Sequence, residues 1–306
     1  MTDNKERYRQ LCETEGAQIP LFLQWWWWET VCLGKEWDVL LAEREGAIVG
    51  ALPYLKGRRW GVRYSLMPQL TMYTGPWTST PDGAAATVDD LLRQLDNLGL
   101  AAYVGRTMPG EDAAGRLAQH NYSVSHRHTY RFAPLRPLPE LMAEASPLRR
   151  RDYRRLGEEL TTDTAVAAAE FAELHTTHFA KAKGRDLIDR SLIERVCTEA
   201  TRRGHGMVVG ARRRDGRLAA AVFVPYDRQS AYLLMLARSA DAPRNATAFV
   251  IWRAIDMLYG HTEAFDFEGS MEAGVEEYYR SFGPQQSPMV QYSKCRLPLI
   301  KKMLHL

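Results

Sequence analysis

The segment AFDFEGSMEAGVEEYYRSFGPQ, residues 264–285, constrains the fold more than any other part of this chain. In its first half, Phe265 and Phe267 alternate with Asp266 and Glu268. Because side chains alternate along a strand, this pattern predicts a short strand with both carboxylates on one face. The glycine that follows is expected to end the strand.

A capped helix is predicted directly after this strand. Ser270 is a suitable N-cap, Arg280 lies in the predicted last turn, and the helix should end just before Gly283 and Pro284. Four aromatic or apolar residues have the i, i+3, i+4, i+7 spacing of one helical face. They are Val275, Tyr278, Tyr279 and Phe282.

The two carboxylates have two interpretations. Charges that are partly buried must be paired with cations, or one of them must have a raised pKa. Asp266 and Glu268 could form a structural ion pair with an arginine such as Arg253 or Arg280. Alternatively they form an active-site edge, where one of them binds or deprotonates an amine. Both alternatives stay open at the level of sequence.

The stretch FDFEGSMEAGVEEYYRSFGP resembles the C-terminal signature of the FemAB-like branch of the GNAT acyltransferase superfamily. That signature has an acidic strand and a glycine before a helix that ends in Phe-Gly. The resemblance extends upstream through RNATAFVIWRAIDML, residues 244–258, and more loosely over most of the chain. It implies two GNAT-like domains that transfer acyl or aminoacyl groups to amines, with acyl-CoA or aminoacyl-tRNA as co-substrate and no tightly bound cofactor.

An internal duplication is indicated independently of this resemblance. Two β-hairpins with glycine-containing turns follow helical stretches, and they end at Pro53–Tyr54 and Pro225–Tyr226. The predicted fold class is therefore α/β, with two tandem GNAT-like domains that each have a mixed, mostly antiparallel sheet flanked by helices. We expect the first domain at 1–140 and the second at 141–306, with the C-terminal tail 290–306 packing back on the first.

Composition excludes several other classes of protein. No apolar run reaches the roughly 18 residues of a membrane span, and the polar N-terminus has no signal-peptide segment, so we expect a cytoplasmic protein. The four cysteines form no C-x-x-C pair, so neither a metal site nor a disulfide framework is expected. The net charge is only +3, but arginines cluster at 149–155 and 212–217. They form either a solvated face or a surface for the phosphates of CoA or tRNA.

The resemblance implies that the pyrophosphate of the donor binds where a strand over 231–238 leads into a helix over 246–259. Free backbone N–H groups and the helix dipole favour an anion at such a point. Arg244, Asn245 and Thr247 are the predicted donor-binding residues, with Asn245 as the N-cap. The chain departs here from the GNAT fingerprint Arg/Gln-x-x-Gly-x-Gly/Ala, because it has no glycines in RNATA, residues 244–248. The FemAB-like branch tends to lack those glycines too.

A substrate cleft is predicted from two further segments. The loop LMPQLTMYTGPWTS, residues 66–79, is similar to a Thr-x-Tyr-x-Gly-Pro loop that borders the cleft in related proteins, which implicates Tyr73 and Trp77. Tyr279 and Arg280 lie on the helix after the acidic strand. Glu268 and Asp266 are the candidates for catalytic base or amine anchor.

Three functions remain open from the sequence. The first is N-acyl transfer from acyl-CoA to an amine by direct attack, with a small molecule or a peptide as acceptor. The second is aminoacyl transfer from aminoacyl-tRNA to a peptidoglycan precursor or a small amine. The third is a non-catalytic double-GNAT module that only binds a partner.

Overall fold

The chain divides into two compact units. A computed structural model describes residues 3–16, 18–111, 113–180, 188–269 and 273–296. The first unit is the chain up to His128 together with the segment that begins at Ser287, and the second is Thr129–Gln286. The division thus precedes the boundary at 140 that we expected. The predicted cap Ser270 and most of the tail, 297–306, lie outside the described residues.

The helices and strands have the following bounds. The helices are α1 Asp3–Glu15, α2 Trp25–Val31, α3 Ala84–Asn97, α4 Ala114–Gln119, α5 Leu138–Glu144, α6 Pro147–Glu159, α7 Ala168–Phe179, α8 Arg190–Arg202, α9 Ala246–Leu258 and α10 Ala273–Arg280. The strands are β1 Trp37–Arg44, β2 Ala47–Leu55, β3 Gly57–Arg59, β4 Val62–Ser65, β5 Trp77–Thr78, β6 Ala102–Arg106, β7 Ser123–Phe132, β8 Thr161–Asp163, β9 Gly206–Arg212, β10 Leu218–Pro225, β11 Ala231–Tyr232, β12 Met235–Arg238, β13 Phe265–Asp266 and β14 Gln285–Cys295.

Both predicted hairpins are confirmed. Strands β1 and β2 pair antiparallel through a turn at Glu45 and Gly46, whose φ angles are 50° and 82°. Strands β9 and β10 pair antiparallel as well, and Gly216 in their turn has a φ of 82°. Positive φ angles suit the right-handed twist of a hairpin, which is why glycine recurs in these turns.

The two units repeat one topology, which confirms the duplication and the predicted α/β fold. In the first unit the order is β1-β2-β5 and β4 pairs in parallel with β6. In the second unit the order is β12-β10-β9-β8 and β11 pairs in parallel with β13. A long helix follows the corresponding strand in each unit: α3 after β5, and α9 after β12.

The core of the second unit is built around α9. Nine of its residues are buried, so it is apolar on nearly every side and lies inside the unit. Trp252 packs against Phe282 with ring centroids 5.0 Å apart, and Phe267 packs against Phe282 at 5.2 Å. Burying a side chain of this size contributes ~1.5–3 kcal/mol. The aromatic face predicted for α10 therefore anchors that helix to α9.

Helix α10 ends slightly earlier than predicted, before Phe282. The helix ends at Arg280, and Gly283 has a φ of 91°. A Cβ at this position would lie 2.8 Å from the carbonyl oxygen of Glu144, so the site accepts only glycine without displacement.

Candidate active site in the second unit

The expected single strand over 231–238 is two strands that have different neighbours. Ala231 and Tyr232 pair in parallel with β13, and the Leu233 N–H donates to the Asp266 carbonyl at 2.8 Å. From Met235 to Arg238 the chain pairs with β10 on its opposite side. No described strand pairs with the other edge of β12. We call this edge of β12, from Leu233 to the start of α9, the strand slot.

Backbone groups of β12 face the strand slot. The Ser239 N–H donates to the Ala219 carbonyl at 2.8 Å, so Ser239 and Ala237 face β10. Because the direction of these groups alternates along an antiparallel strand, the amides of Leu236 and Arg238 point into the slot. A substrate that lies along β12 therefore meets peptide groups that no neighbouring strand has paired.

Asp266 holds the turn that follows β13. Its side chain is fully buried, and its Oδ1 accepts hydrogen bonds from the Thr129 hydroxyl at 2.5 Å and from the Glu268 N–H at 2.8 Å. Arg131 Nε lies 3.2 Å from Oδ2. Burial raises the pKa of Asp266 to about 6, although the Thr129 hydrogen bond and the Arg131 charge act in the opposite direction.

These contacts correct two expectations. The strand ends at Asp266, and Glu268 has a left-handed φ of 51°, so the two carboxylates do not lie on one face of a regular strand. The arginine beside Asp266 is Arg131 of β7, because β7 pairs with β13, whereas Arg253 pairs with Asp256. Neither Arg253 nor Arg280 is the arginine paired with Asp266.

Glu268 stands at the edge of this turn, half-buried. A left-handed backbone costs a non-glycine residue ~1–2 kcal/mol, and the hydrogen bond from its amide to Asp266 stabilises it here. The Gly269 N–H donates to the Thr129 hydroxyl at 2.8 Å and continues the same network. Burial raises the pKa of the nearby Tyr279, and the carboxylates of Glu268 and Asp266 raise it further. The structure thus brings Asp266, Glu268 and Tyr279 together.

The start of α9 differs from the prediction. Asn245 occupies the N-cap position with a φ of 66°, but its side chain makes no capping hydrogen bond. Its Nδ2 instead donates to Asp152 Oδ2 at 2.5 Å, and Asp152 is buried. Arg244 is exposed, and its carbonyl accepts from Arg155 Nη2 at 3.2 Å. A carboxylate therefore lies beside the helix end that was expected to receive an anion.

Thr247 belongs to a neighbouring contact network. Its hydroxyl lies 3.0 Å from that of Tyr278, and the Arg149 guanidinium lies over the Tyr278 ring at 4.4 Å. Arg149 Nε donates to the Ser281 hydroxyl at 2.7 Å. The sequence placed Arg149 in an exposed cluster, but it is buried, which lowers its pKa. The signal was present in the spacing, because Arg149, Asp152 and Leu156 share the buried face of α6.

The other predicted cleft residues lie elsewhere. Tyr73 and Trp77 belong to the first unit, where both are buried; Tyr73 packs edge-on against Phe22, and Trp77 Nε1 donates to the Gln18 carbonyl at 3.2 Å. Arg280 is exposed on the last turn of α10. Their part in a substrate cleft stays a prediction.

The first unit fills its own counterpart of the strand slot. In the second unit β11 and β12 are separated by two residues only. In the first unit the corresponding strands, β4 and β5, are separated by residues 66–76. The Thr74 N–H donates to the Arg106 carbonyl at 3.0 Å, and Arg106 Nη1 donates to the Met72 carbonyl at 3.3 Å. A Cβ on Gly75 would lie 3.3 Å from the Arg106 carbonyl oxygen. This loop therefore packs on the end of β6, the strand that corresponds to β13.

Other features of the described residues add no second site of this kind. No group of three or more His, Cys, Asp or Glu residues among them could hold a metal ion. Within the same residues, every helix is too short or too polar to cross a membrane. A groove of about 680 Å³ lies at the far end of α9, lined by residues such as His205, Tyr226 and Tyr259, and it includes none of the predicted site residues.

Comparison with known proteins agrees with this fold. Residues 148–280 match the family model of an acetyltransferase (GNAT) domain. The whole chain is similar in structure to FemX, with a TM-score of 0.74 and 11% identity over 100% of this chain and 99% of that one. It is also similar to L-PGS from Bacillus licheniformis, with a TM-score of 0.63 and 12% identity over 98% and 94% of the two chains.

A third similar structure is a tandem GNAT protein from the clavulanic acid biosynthesis pathway, with a TM-score of 0.52 and 13% identity over 87% of this chain and 85% of that one. No curated protein matches the sequence. At such low identities these likenesses establish the fold alone, a tandem GNAT-like architecture.

Proposed function

We propose that the chain is an acyltransferase that transfers an acyl group from acyl-CoA to an amine within the second unit, because residues 148–280 match the family model of an acetyltransferase (GNAT) domain. The observation that carries this proposal is the strand slot, which opens where Leu233 leaves β13 and runs toward the start of α9. In this proposal the chain is an enzyme, and the third alternative, a module that only binds, does not apply.

The donor lies along β12 in this proposal. The extended arm of CoA has amide and carbonyl groups, and the outward peptide groups of Leu236 can pair with them as a neighbouring strand would. The phosphates then reach the start of α9, where the helix dipole and the exposed Arg244 favour negative charge. Thr247 lies in the first turn of the same helix.

Transfer proceeds by direct attack. The amine nitrogen attacks the thioester carbonyl, the C–O electron pair moves onto oxygen, and its return expels the thiolate. Glu268 accepts the proton that the amine loses, because its carboxylate is half-buried rather than sealed like that of Asp266. Cys197 is not a nucleophile in this proposal, since it is buried and burial raises the pKa of its thiol.

A second donor class is favoured by one observation. The buried carboxylate of Asp152 stands beside Asn245, where a diphosphate would otherwise dock. Two like charges ~5 Å apart repel by about 3 kcal/mol at an effective dielectric constant of 20, and Arg155, whose Nη2 lies 3.7 Å from Asp152 Oδ1, offsets part of this repulsion. An aminoacyl ester on tRNA does not need a diphosphate at that point, and its amine acceptor would be a peptidoglycan precursor or a small molecule.

A donor experiment distinguishes these proposals. The purified protein is incubated with acetyl-CoA, with longer acyl-CoAs, or with charged tRNA, and binding is followed by thermal shift and gel shift. Stabilisation by a CoA ester supports the first proposal, and a salt-sensitive gel shift with charged tRNA alone supports the second. No response to either donor would contradict both.

The role of Glu268 has its own test. With an amine that is turned over, Glu268→Gln should lower kcat ~10²-fold or more, because a positioned base contributes about that much. Glu277→Gln, an exposed carboxylate on α10, is the matched control and should retain the wild-type rate. An unchanged kcat in Glu268→Gln removes it as the base.

A further inference from the structure

A short β-hairpin of the first unit carries an exposed tryptophan at its tip. Strands β3 and β4 pair antiparallel, and Trp60 and Gly61 form the turn between them. Trp60 is 77% exposed, whereas the other tryptophans of the chain are buried or half-buried. Its φ of 49° lies in the left-handed region, where a bulky side chain is strained. Asparagine or glycine suits such a turn, and tryptophan is more stable when buried, so the folded state alone does not account for this residue.

Arginines on this hairpin are not neutralised by neighbouring acids. Arg58 lies directly opposite Arg63, so their side chains share one face of the hairpin, and like charges at opposed positions repel each other. Both are exposed, and no carboxylate of the described residues forms an ion pair with either of them. In the hairpin of the second unit, by contrast, Arg212, Arg213 and Arg217 each pair with a carboxylate. The β3–β4 hairpin therefore presents positive charge that is available to an anionic partner.

A small cavity is lined by the same two arginines. Its volume is about 240 Å³, and Lys56, Arg58 and Arg63 line it together with apolar side chains of the first unit. These apolar side chains are Tyr54, Leu98 and Leu100. Among the described residues that line it, Glu36 is the one acid, and it lies 3.7 Å from Lys56 Nζ. An excess of cations beside apolar side chains suits a phosphate group that is attached to an apolar body.

A second exposed apolar residue belongs to the same surface. Leu33 is 64% exposed, and it lines a groove that shares Lys56 and Glu36 with the cavity. Lys35 lines this groove too and is exposed. The first unit thus combines basic and exposed apolar side chains on one continuous part of its surface.

A bilayer that contains anionic lipids is the partner that fits these features. Tryptophan is favoured at the boundary between lipid headgroups and acyl chains, because its ring is apolar and its N–H is polar. Lysine and arginine are attracted to the negative surface of such a bilayer. Nucleic-acid sites instead place several aromatic rings along a basic groove, whereas Trp60 projects from the tip of a turn.

We propose that the β3–β4 hairpin docks the first unit onto the surface of a bilayer that contains anionic lipids. Trp60 enters the headgroup region, and Lys56, Arg58 and Arg63 hold a lipid phosphate at the cavity. The docking is peripheral and sensitive to salt, since one ring and a few cations bury far less apolar surface than a spanning helix. This inference does not depend on acyl transfer in the second unit.

Vesicle co-sedimentation of the full chain tests the charge requirement. The wild type should bind vesicles of equimolar phosphatidylcholine and phosphatidylglycerol, should not bind phosphatidylcholine alone, and should be released by salt. Arg58→Gln combined with Arg63→Gln should weaken this binding ~30-fold, because each basic residue near an anionic surface contributes roughly 5-fold. The matched control is Arg214→Gln combined with Arg217→Gln, which removes the same charge from the exposed turn of the second unit and should bind like the wild type.

A substitution at the tip separates docking from a structural role. Asparagine tolerates a positive φ, so Trp60→Asn should keep or raise the midpoint of thermal unfolding. It should weaken vesicle binding at least ~10-fold, because the ring no longer enters the interface. A structural role for Trp60 predicts the reverse, a lower midpoint with unchanged vesicle binding.

Three outcomes would overturn the proposal. The first is equal binding to both kinds of vesicle, and the second is equal loss of binding in the two double arginine variants. The third is a gel shift with tRNA that Arg58→Gln and Arg63→Gln abolish while the wild type ignores both kinds of vesicle, which would make the hairpin a nucleic-acid surface. None of these results bears on acyl transfer, since Trp60→Asn should transfer acyl groups to a soluble amine at the wild-type rate.

Discussion

Replacing Asp266 with Asn should remove a pH dependence of stability that originates in its burial. Because the folded state raises the pKa of this carboxyl from 3.8 to about 6, folding favours its protonated form. The resulting stabilisation is fully present below pH 3.8 and is lost as the pH rises through 6. At about 1.4 kcal/mol for each pKa unit, the whole effect is about 3 kcal/mol. The same relation gives roughly 1.4 kcal/mol lost between pH 5 and pH 8.

The measurement is urea denaturation of the wild type and of Asp266→Asn at both pH values. The Asn side chain can still accept hydrogen bonds from Thr129 and from the Glu268 amide, so the variant should fold. The wild type should lose about 1.4 kcal/mol more than the variant between pH 5 and pH 8. Asp256→Asn, at an exposed carboxylate, is the control for general pH effects.

A different pH dependence would refute this reasoning. If the Arg131 ion pair dominated, the folded-state pKa would lie below 3.8, and the wild type would gain stability over the variant only as the pH rises to about 5, with almost no change from pH 5 to pH 8. An equal difference at pH 5 and pH 8 would therefore contradict the reasoning, because it would mean that folding does not raise the pKa of Asp266.

Two further substitutions follow from particular contacts. Asp152→Asn keeps a hydrogen-bond acceptor for Asn245 but removes the negative charge at the start of α9. Its affinity for acetyl-CoA, measured by calorimetry, should therefore be at least ~10-fold higher than that of the wild type. An unchanged affinity would mean that the diphosphate binds elsewhere. Gly283→Ala combines a φ of 91° with a clash at the Glu144 carbonyl, and in urea denaturation it should cost ~2–4 kcal/mol. The control is Gly260→Ala, because Gly260 has a similar φ of 85° but open space around it, and this substitution should lower the free energy of unfolding by only ~1–2 kcal/mol. Equal losses in the two variants would mean that the clash at Gly283 is relieved.

Local sequence signals predicted those parts of the fold that neighbouring residues determine. Gly46 and Gly216 in tight turns identified both hairpins, and Gly283 with Pro284 identified the end of α10. The repeat of hairpins then indicated the duplication that the strand order confirms. Each of these features depends on residues that are close together in the sequence.

The turn at Glu268 could not be predicted in this way. It depends on the Thr129 hydroxyl, which lies on a strand that is distant in the sequence and pairs with β13 only in the folded chain. The charge of Arg131 was visible in the sequence, but its position beside Asp266 follows from tertiary packing. The alternation of side chains alone therefore predicted a strand that is too long. The arginines suggested as partners of Asp266 were also wrong.

The most direct test of the central claim is hydrogen–deuterium exchange with and without donor. The claim is that the donor binds along β12 and at the start of α9 in the second unit. Acetyl-CoA, or charged tRNA, should slow exchange in peptides that cover 234–238 and 244–249, because a bound donor covers the outward amides of β12. Exchange over β5 and α3 of the first unit should not change. Protection confined to the first unit, or donor turnover without protection at 234–238, would contradict the account.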